Sequence, residues 1–320
     1  MSTSSNVVKR DSLVFSPEKI QRFQKKVLSF YKKYGRELPW RKTTDPYKIL
    51  LSELMLQQTQ VNRVVPYYEE WIARWPTIGA LASASRVEVL SAWMGLGYNN
   101  RAVNLHKAVQ KIVTEFDSDV VEAMKQYTEI PGVGRYTSQA VQIFSMNADL
   151  VTVDTNIRRI FISEFHLSEN ISDKDLWECA EQCLPKEKSR EWHNALMDYG
   201  ALHQTVQKTG IRSKSQQSKF EGSDRQIRAA ILRILLHDRS SFENIHHALG
   251  VEQMKLRKIL GKMVDEELLV MHNTVISGEG INTRYELFTL PSLITKKGHC
   301  ADDQCLERES RGCRRVLPHE

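Results

Sequence analysis

The stretch EIPGVGRYTSQA (129–140) sets two glycines around one valine directly after a proline. Glycine inside a helix or a strand costs about 0.5–1 kcal/mol relative to alanine, so neither element explains the pair. A tight hairpin explains it, and the helical sequence that follows would turn the positive end of its dipole toward an anion. We therefore predict a phosphate-gripping hairpin formed by Gly132, Val133, Gly134 and Arg135, with a purely structural turn as the alternative.

Helical spacing of apolar residues surrounds this hairpin from Ser16 to about Ala201, with short breaks at Gly and Pro. The spacing predicts an all-α domain, which we place at residues 16–222 after a flexible N-terminus at 1–15. Between 202 and 224 the pattern gives way to a polar, basic segment. That change indicates a domain boundary.

The segment 223–291 has a different character. The patterns of DRQIRAAILRILLHDR (224–239), SFENIHHALG (241–250) and EQMKLRKILGKMVDEELL (252–269) predict three helices, followed by an alternating hairpin pattern around GEG (278–280). Three helices and a hairpin predict a small winged-helix domain of α+β class. Its third helix carries four basic residues that would face a DNA major groove: Lys255, Arg257, Lys258 and Lys262. A protein contact or a solvated helix face is the alternative.

The tail at 292–320 is polar and has no periodicity, so we expect disorder there. Cys300, Cys305 and Cys313 lie in it, with His299 and His319 nearby. Their spacing matches no tight zinc knuckle, so we predict no metal site, and zinc capture by the tail stays open.

Composition places bounds on the class of protein. The chain has 320 residues, enough for two or three modules, and a net charge of +6, which favours a polyanionic partner. No apolar run is long enough to cross a bilayer and the start does not resemble a signal peptide. We expect a protein that makes no membrane contact and works inside the cell, with reduced cysteines.

Two carboxylates stand out as candidates for chemistry. Glu53 is embedded in DPYKILLSELMLQQTQV (45–61), where Asp45 and Pro46 predict the start of a strongly apolar helix. A carboxyl group in a dry pocket stays protonated near neutral pH and acts as a general acid. Asp154, in LVTVDTNIRRIF (150–161), precedes a helix, where hydrogen bonds would keep it ionised. A solvated face for Glu53 and a simple cap for Asp154 are the alternatives.

Six segments occur in a characteristic order: LPWR (38–41), DPYKILLSELMLQQTQV (45–61), GLGYNNRAVNLHKA (95–108), IPGVGRYTSQA (130–140), VDTNIRR (153–159) and NALMDYGA (194–201). Together they resemble the helix-hairpin-helix DNA glycosylases, and SELMLQQTQV leans toward the adenine-specific MutY type. The resemblance covers about residues 16–220 and implies a two-lobed fold.

The resemblance also implies roles for matching residues. Glu53 stands at the general-acid position that protonates purine N7, and Asp154 at that of the carboxylate that stabilises the oxocarbenium ion. Tyr136 falls where bifunctional relatives carry a Schiff-base lysine, so no β-lyase activity is expected. Trp40, Arg41 and Leu56 match residues that line the base pocket, and Asn194 stands at a further pocket position near the target base. Gln58 and Tyr98 match residues that wedge into the base stack, and Gln57 lies beside them on the DNA. Without the resemblance, these would be taken for core aromatics or surface polar residues.

The chain departs from the family where most relatives place four cysteines that bind an iron–sulfur cluster. Those positions hold Gln204, Ile211, Lys214 and Phe220, so we predict no cluster and no other cofactor. We expect Ile211 and Phe220 to pack in its place, and the neighbouring basic residues to contact phosphates: Lys208, Arg212, Lys214 and Lys219. The winged helix replaces the usual domain that reads 8-oxoguanine, and Asn99 and Asn194 replace an aromatic and an acidic or amide residue.

The resemblance implies a monofunctional glycosylase in base excision repair, with mismatched duplex DNA as partner. We expect it to act as a monomer on DNA in the cytoplasm or nucleoid. It would remove adenine opposite G or 8-oxoguanine by base flipping and acid-assisted hydrolysis of the N-glycosidic bond. Two alternatives stay open: a thymine or uracil mismatch glycosylase, and a non-catalytic DNA-binding protein with a vestigial glycosylase fold. The sequence leaves the target base, the opposite base and the ligand of the winged helix undecided.

Overall fold

Helices form most of the described chain between residues 13 and 209. The structure, a computed structural model, describes residues 13–214, 219–278 and 281–291. The helices in this part are α1 (Pro17–Tyr34), α2 (Pro46–Leu56), α3 (Val61–Arg74), α4 (Ile78–Ser83), α5 (Arg86–Trp93), α6 (Asn100–Glu115), α7 (Val120–Lys125), α8 (Arg135–Met146), α9 (Thr155–Phe165), α10 (Asp173–Gln182), α11 (Ser189–Asp198) and α12 (Val206–Thr209). Short 3-10 turns lie at Pro39–Arg41 and Tyr127–Glu129, and a π-helical turn lies at Tyr199–His203.

The helix that carries Glu53 begins as the sequence predicts. The Asp45 carboxylate accepts hydrogen bonds from the backbone N–H groups of Tyr47 and Lys48, and Pro46 is the first helical residue. The helix ends at Leu56, and α3 starts only at Val61. The apolar spacing across this region did not reveal the interruption at 57–60.

The helices pack as two lobes, in agreement with the predicted two-lobed fold. The first lobe contains α2 to α8 around one apolar core. The second lobe joins α1 to α9, α10 and α11, and in its core Phe23 meets the rings of Phe161, Phe165 and Trp192 edge to face. Cys179 and Cys183 are buried in this core, as packing residues. The second lobe therefore combines a helix that precedes the first lobe in sequence with helices that follow it.

The C-terminal unit has the arrangement predicted for a winged helix. It contains α13 (Asp224–His237), β1 (Ser240–Ser241), α14 (Phe242–Leu249), α15 (Gln253–Asp265), β2 (Val270–Gly278) and β3 (Ile281–Thr289). The antiparallel sheet has the order β1-β3-β2, with Val270 opposite Thr289. Its apolar core is continuous with that of the first lobe. Glu267 adds ion pairs to Arg86 and Lys107.

Some expectations fall outside the described residues. These are the flexible N-terminus up to residue 12, the hairpin tip at 279–280 and the tail at 292–320 with Cys300, Cys305, Cys313, His299 and His319. The domain boundaries at 15, 222 and 291 stay predictions. Within the described ranges, no helix is both long and apolar enough for a membrane span.

Candidate active site

A cleft of about 840 Å³ opens between the two lobes. Glu53 from α2 and Tyr136 from α8 reach it from the first lobe, and Asp154 reaches it from the start of α9 in the second. All the residues predicted for a base pocket line the same cleft: Trp40, Arg41, Leu56 and Asn194. The fold therefore brings together side chains that lie far apart in sequence.

Glu53 is buried in the wall of this cleft, with 6% of its surface exposed. Burial raises the pKa of its carboxyl group to about 7, and the nearby charge of Asp154 acts in the same direction. A hydrogen bond from the Tyr136 hydroxyl opposes the shift. Glu53 can therefore carry a proton near neutral pH, as a general acid requires.

Asp154 caps α9 and faces the same cleft. Its carboxylate accepts hydrogen bonds from the backbone N–H of Ile157 (2.7 Å) and the side-chain amide of Asn156 (3.1 Å). Burial raises the pKa of Asp154 above its ordinary value, although these hydrogen bonds and the charge of Arg159 oppose the shift. More groups stabilise the charged form of Asp154 than that of Glu53, which favours an ionised Asp154 beside a protonated Glu53.

Asn156 and Arg159 were not singled out from the sequence. Arg159 donates to the Asn156 side-chain oxygen at 2.6 Å and to the backbone carbonyl of Gln204 at 2.6 Å. It thereby orients the amide that supports Asp154. Both residues follow Asp154 within the segment VDTNIRR, and that position is the one signal that could have found them.

Arg41 at the cleft is held by a buried carboxylate. Its guanidinium donates to both oxygens of Asp198, at 2.7 and 2.9 Å, and Arg36 donates to the same group at 2.7 Å. Burial would raise the pKa of Asp198, but the hydrogen bonds from Arg41 and Arg36 hold it below its ordinary value. The paired hydrogen bonds to Asp198 hold Arg41 in place as a rigid part of the cleft wall.

The predicted wedge residues Gln58 and Tyr98 lie on two loops joined by one buried arginine. Both have positive φ, 55° and 49°. The guanidinium of Arg101 lies between the loops and donates hydrogen bonds to six acceptors: the carbonyls of Leu54, Met55, Gln57, Leu96 and Gly97 and the hydroxyl of Thr59. Burial lowers the pKa of Arg101 to about 10, which still leaves it charged at neutral pH. Arg101 thus supplies donors to carbonyls at the end of α2, which stops at Leu56.

We expect Arg101→Lys to lower the free energy of unfolding by about 3 kcal/mol, because a single ammonium group leaves several buried carbonyls without donors. Urea unfolding followed by circular dichroism measures the change. Arg239→Lys is the matched control, because the Arg239 side chain is exposed, and we expect it to stay within about 0.5 kcal/mol. Equal effects in the two variants would contradict the role of Arg101.

The hairpin at 130–134 lies outside the cleft and leads directly into α8. Gly132 has a φ of 75°, and a Cβ there would lie 2.8 Å from the Cβ of Asn104. Gly134 has an ordinary φ of −102° and precedes α8, and a Cβ there would meet nothing within 4 Å. The backbone conformation therefore requires glycine at 132. At 134 the backbone would accept another residue, and glycine only keeps the surface there free of a side chain. Val133 is buried, Arg135 is exposed, and the Arg135 guanidinium lies over Trp177.

The positions of the missing cysteines do not suit an iron–sulfur cluster, because none of their side chains offers a thiolate. Gln204 donates to Glu164 at 2.6 Å, and Glu164 also accepts from Tyr199 and Lys26. Ile211 packs in the core of the second lobe as expected. Within the described residues, no group of three or more His, Cys, Asp or Glu side chains could hold a metal ion.

One expectation for this segment is wrong. Phe220 is 53% exposed and does not pack in place of a cluster, because the chain has by then left the second lobe and approaches α13. Lys214 pairs with Asp173 at 2.6 Å. The other predicted phosphate contacts are exposed, as that role requires: Lys208, Arg212 and Lys219.

The basic residues of α15 do not all share a face. Residues two apart on a helix point about 200° apart, and Arg257 accordingly turns away from Lys255. It pairs with Glu286 of β3 at 2.6 Å and stacks on Phe242. Lys255 lies 3.6 Å from Asp224 of α13, and Lys258 is exposed. Arg257 is thus occupied within the C-terminal unit.

Comparisons with known proteins agree with this geometry. Residues 51–186 match the model of the HhH-GPD superfamily of base excision DNA repair proteins. An adenine DNA glycosylase of Mycolicibacterium smegmatis is 36% identical over 230 residues, which cover 65% of this chain and 78% of that protein. One from Buchnera aphidicola subsp. Baizongia pistaciae is 35% identical over 183 residues, 56% of this chain and 52% of that protein. A solved thermostable thymine-DNA glycosylase is 28% identical, with a TM-score of 0.54 over 61% of this chain and 94% of its own.

Proposed function

The chain belongs to the HhH-GPD superfamily of base excision DNA repair proteins and is a DNA N-glycosylase, and from that premise we propose that it removes mispaired adenine from duplex DNA. The feature that carries the proposal is the shared cleft, which Glu53 and Asp154 both line and in which burial raises the pKa of Glu53 to about 7. A vestigial scaffold would have no need to bury two carboxylates together, because their burial costs stability. One copy of the chain supplies both groups, so we propose that it acts as a monomer.

The reaction begins when the adenine nucleotide is flipped out of the duplex into the cleft. Glu53 donates its proton to N7 of the base, the bond between C1′ and N9 breaks, and the bonding pair leaves with adenine. Asp154 stabilises the positive charge on the sugar. Water adds to C1′, and the proton that it loses returns to Glu53. The products are free adenine and an abasic site.

Tyr136 keeps this chemistry monofunctional. Burial raises the pKa of its hydroxyl well above the ordinary value, so the group stays protonated and donates its hydrogen bond to Glu53. A phenol cannot form the imine through which a lysine would cut the backbone. The chain therefore leaves the abasic strand intact.

The second candidate is removal of thymine or uracil opposite G, which the likeness to a solved thymine-DNA glycosylase supports. Pyrimidines have no N7, so a protonated Glu53 would need another acceptor. The buried acid therefore favours a purine.

Alkali-induced cleavage of four duplexes, A·8-oxoG, A·G, T·G and U·G, tests the target base. We expect cleavage of the adenine strand in one or both adenine mismatches and none in a fully paired A·T control. Cleavage restricted to T·G and U·G would establish the second candidate instead, and cleavage of none would contradict both.

We further propose that the second lobe folds without an iron–sulfur cluster. The donor set supports this, because Gln204, Ile211, Lys214 and Phe220 offer iron no thiolate. Iron analysis and visible absorption of protein purified without oxygen should both give no signal. About four irons for each chain would contradict the proposal.

For the hairpin, we expect Gly134→Glu to weaken binding to every duplex by about tenfold or more, because hydrogen bonds to a charged phosphate contribute about 1.5–3 kcal/mol. The fold should tolerate the change, since a Cβ at 134 meets nothing within 4 Å. Fluorescence anisotropy with a mismatched and a fully paired duplex measures it, with Gly79→Glu as the control at another open glycine. A loss confined to one mismatch would contradict the phosphate role.

A further inference from the structure

The loop at residues 57–60 forms a ridge with a cavity on each side. One side is the active-site cleft, and the other is a second groove of about 870 Å³. Gln57, Gln58, Thr59 and Gln60 line both. Across the second groove from this ridge stand α13 and α15 of the C-terminal unit.

The second groove is basic. Six basic side chains line it against two acidic ones: Arg63, Arg101, Arg225, Arg228, Arg233 and Lys262, against Asp224 and Glu266. Arg228 is paired with Glu266, and Asp224 with Lys255. Arg233 and Lys262 are exposed, and neither makes an ion pair within the described part of the chain. The groove thus presents two cations that are available to an anion.

Arg225 connects this groove to the predicted wedge. Its guanidinium donates to the hydroxyl of Tyr98 at 2.6 Å and lies 5.1 Å from the centre of the ring. Tyr98 therefore meets the C-terminal unit directly, although Arg225 lies 127 positions further along the chain. Nothing in the sequence of either segment predicts this contact.

The placement of the two cavities limits where duplex DNA can run. In the wedge role predicted for Gln58, the ridge would occupy the space that the base leaves when the nucleotide enters the active-site cleft. The strand that holds the orphaned base must then lie on the other side of the ridge, along the second groove. We propose that the C-terminal unit binds the phosphates of this opposite strand through Arg233 and Lys262, while Arg225 positions Tyr98.

The proposal rests on the proposed function, and it differs from major-groove recognition by α15. In that mode Arg257 would contact bases, but it is paired with Glu286 and stacked on Phe242. The residues at the groove from α15 and the turn after it are instead Ile259, Lys262 and Glu266. The unit thus serves as the far wall of a continuous DNA-binding face.

The first arm of the test measures how many phosphates the unit holds. We expect the double variant Arg233→Gln with Lys262→Gln to bind an A·G duplex about tenfold more weakly, and to reduce the slope of log Kd against log salt by about 2. Arg239→Gln is the matched control, an exposed arginine of the same unit outside the groove. Equal slopes in wild type and the double variant would overturn the proposal, and thermal unfolding verifies that both variants fold.

The second arm identifies the strand. Neutral methylphosphonates replace phosphates near the mismatch on either the adenine strand or the opposite strand, and Kd is measured for wild type and for the double variant. We expect the opposite-strand substitution to weaken wild type about tenfold and to have little further effect on the double variant. The inference would be overturned if the double variant instead lost the effect of the adenine-strand substitution. It would also be overturned if the double variant responded to both substitutions as wild type does. Because both arms measure binding, this failure is distinct from failure of the proposed function, which would appear as absent excision.

Discussion

Replacing Glu53 with Gln should slow excision of adenine from an A·G duplex by about 10²- to 10⁴-fold, the range over which general acids contribute. The amide has the shape of the protonated carboxyl group but no acidic proton to give to N7. Burial raises the pKa of Glu53 to about 7, so the wild-type enzyme holds that proton in a large fraction of molecules at neutral pH. Single-turnover kinetics with enzyme in excess measure the chemical step.

The same variant should fold at least as well as wild type. The glutamine side chain would remain neutral at all pH values, so the cost of placing a second charge beside Asp154 disappears. Thermal unfolding and DNA affinity of Glu53→Gln therefore serve as internal controls. Excision at the wild-type rate would remove Glu53 from the chemistry, whatever the target base.

Replacing Asp154 with Asn should slow the same step by about 10²- to 10³-fold, comparable to the loss of a fixed electrostatic partner of a transition state. The neutral amide cannot offset the positive charge that develops on the sugar. The change separates the two roles of the residue, because Asn is as good an N-cap as Asp. The cap that receives the N–H of Ile157 should persist.

Unfolding of Asp154→Asn in urea tests that separation. A free energy of unfolding within about 1 kcal/mol of wild type, together with a large loss of rate, would establish a role beyond the cap. Wild-type rates with reduced stability would instead make Asp154 a structural cap and contradict the proposed mechanism.

Much of the site could be predicted from sequence because its chemistry resides in local patterns. Local sequence patterns identify three features: the apolar helix around Glu53, the cap position of Asp154 and the glycine pair of the hairpin. The two-lobed fold brings the two carboxylates together in one cleft, whereas the hairpin lies outside that cleft. The roles of the two glycines also differ, since only Gly132 is required by its backbone conformation.

Long-range polar contacts could not be predicted in this way. Arg101 lies in an amphipathic helix, where an arginine is ordinarily a solvated residue, yet it is buried and joins two loops. Asp198 likewise looks like the end of a helix, and only the fold shows that it holds Arg41. The contact between Arg225 and Tyr98 depends on how the C-terminal unit docks, which no periodicity encodes.

The segment that departs from the cysteine pattern of the family shows a similar limit. The missing cysteines were evident in the sequence, but their substitutes were only half predicted, because Ile211 packs and Phe220 does not. The hydrogen bonds from Gln204, Tyr199 and Lys26 to Glu164 stabilise the end of the second lobe instead. The packing of the helices determines which charged and polar groups meet when they lie far apart in sequence.

The dependence of excision on pH tests the central claim most directly, because it reports the protonation of both carboxylates in one experiment. Glu53 must be protonated and Asp154 ionised, so kcat/KM should fall at low pH and also fall about tenfold for each pH unit above about 7. The residual activity of Glu53→Gln should lose the fall at high pH. A rate that keeps rising above about pH 8, or an identical profile in the variant, would contradict the account.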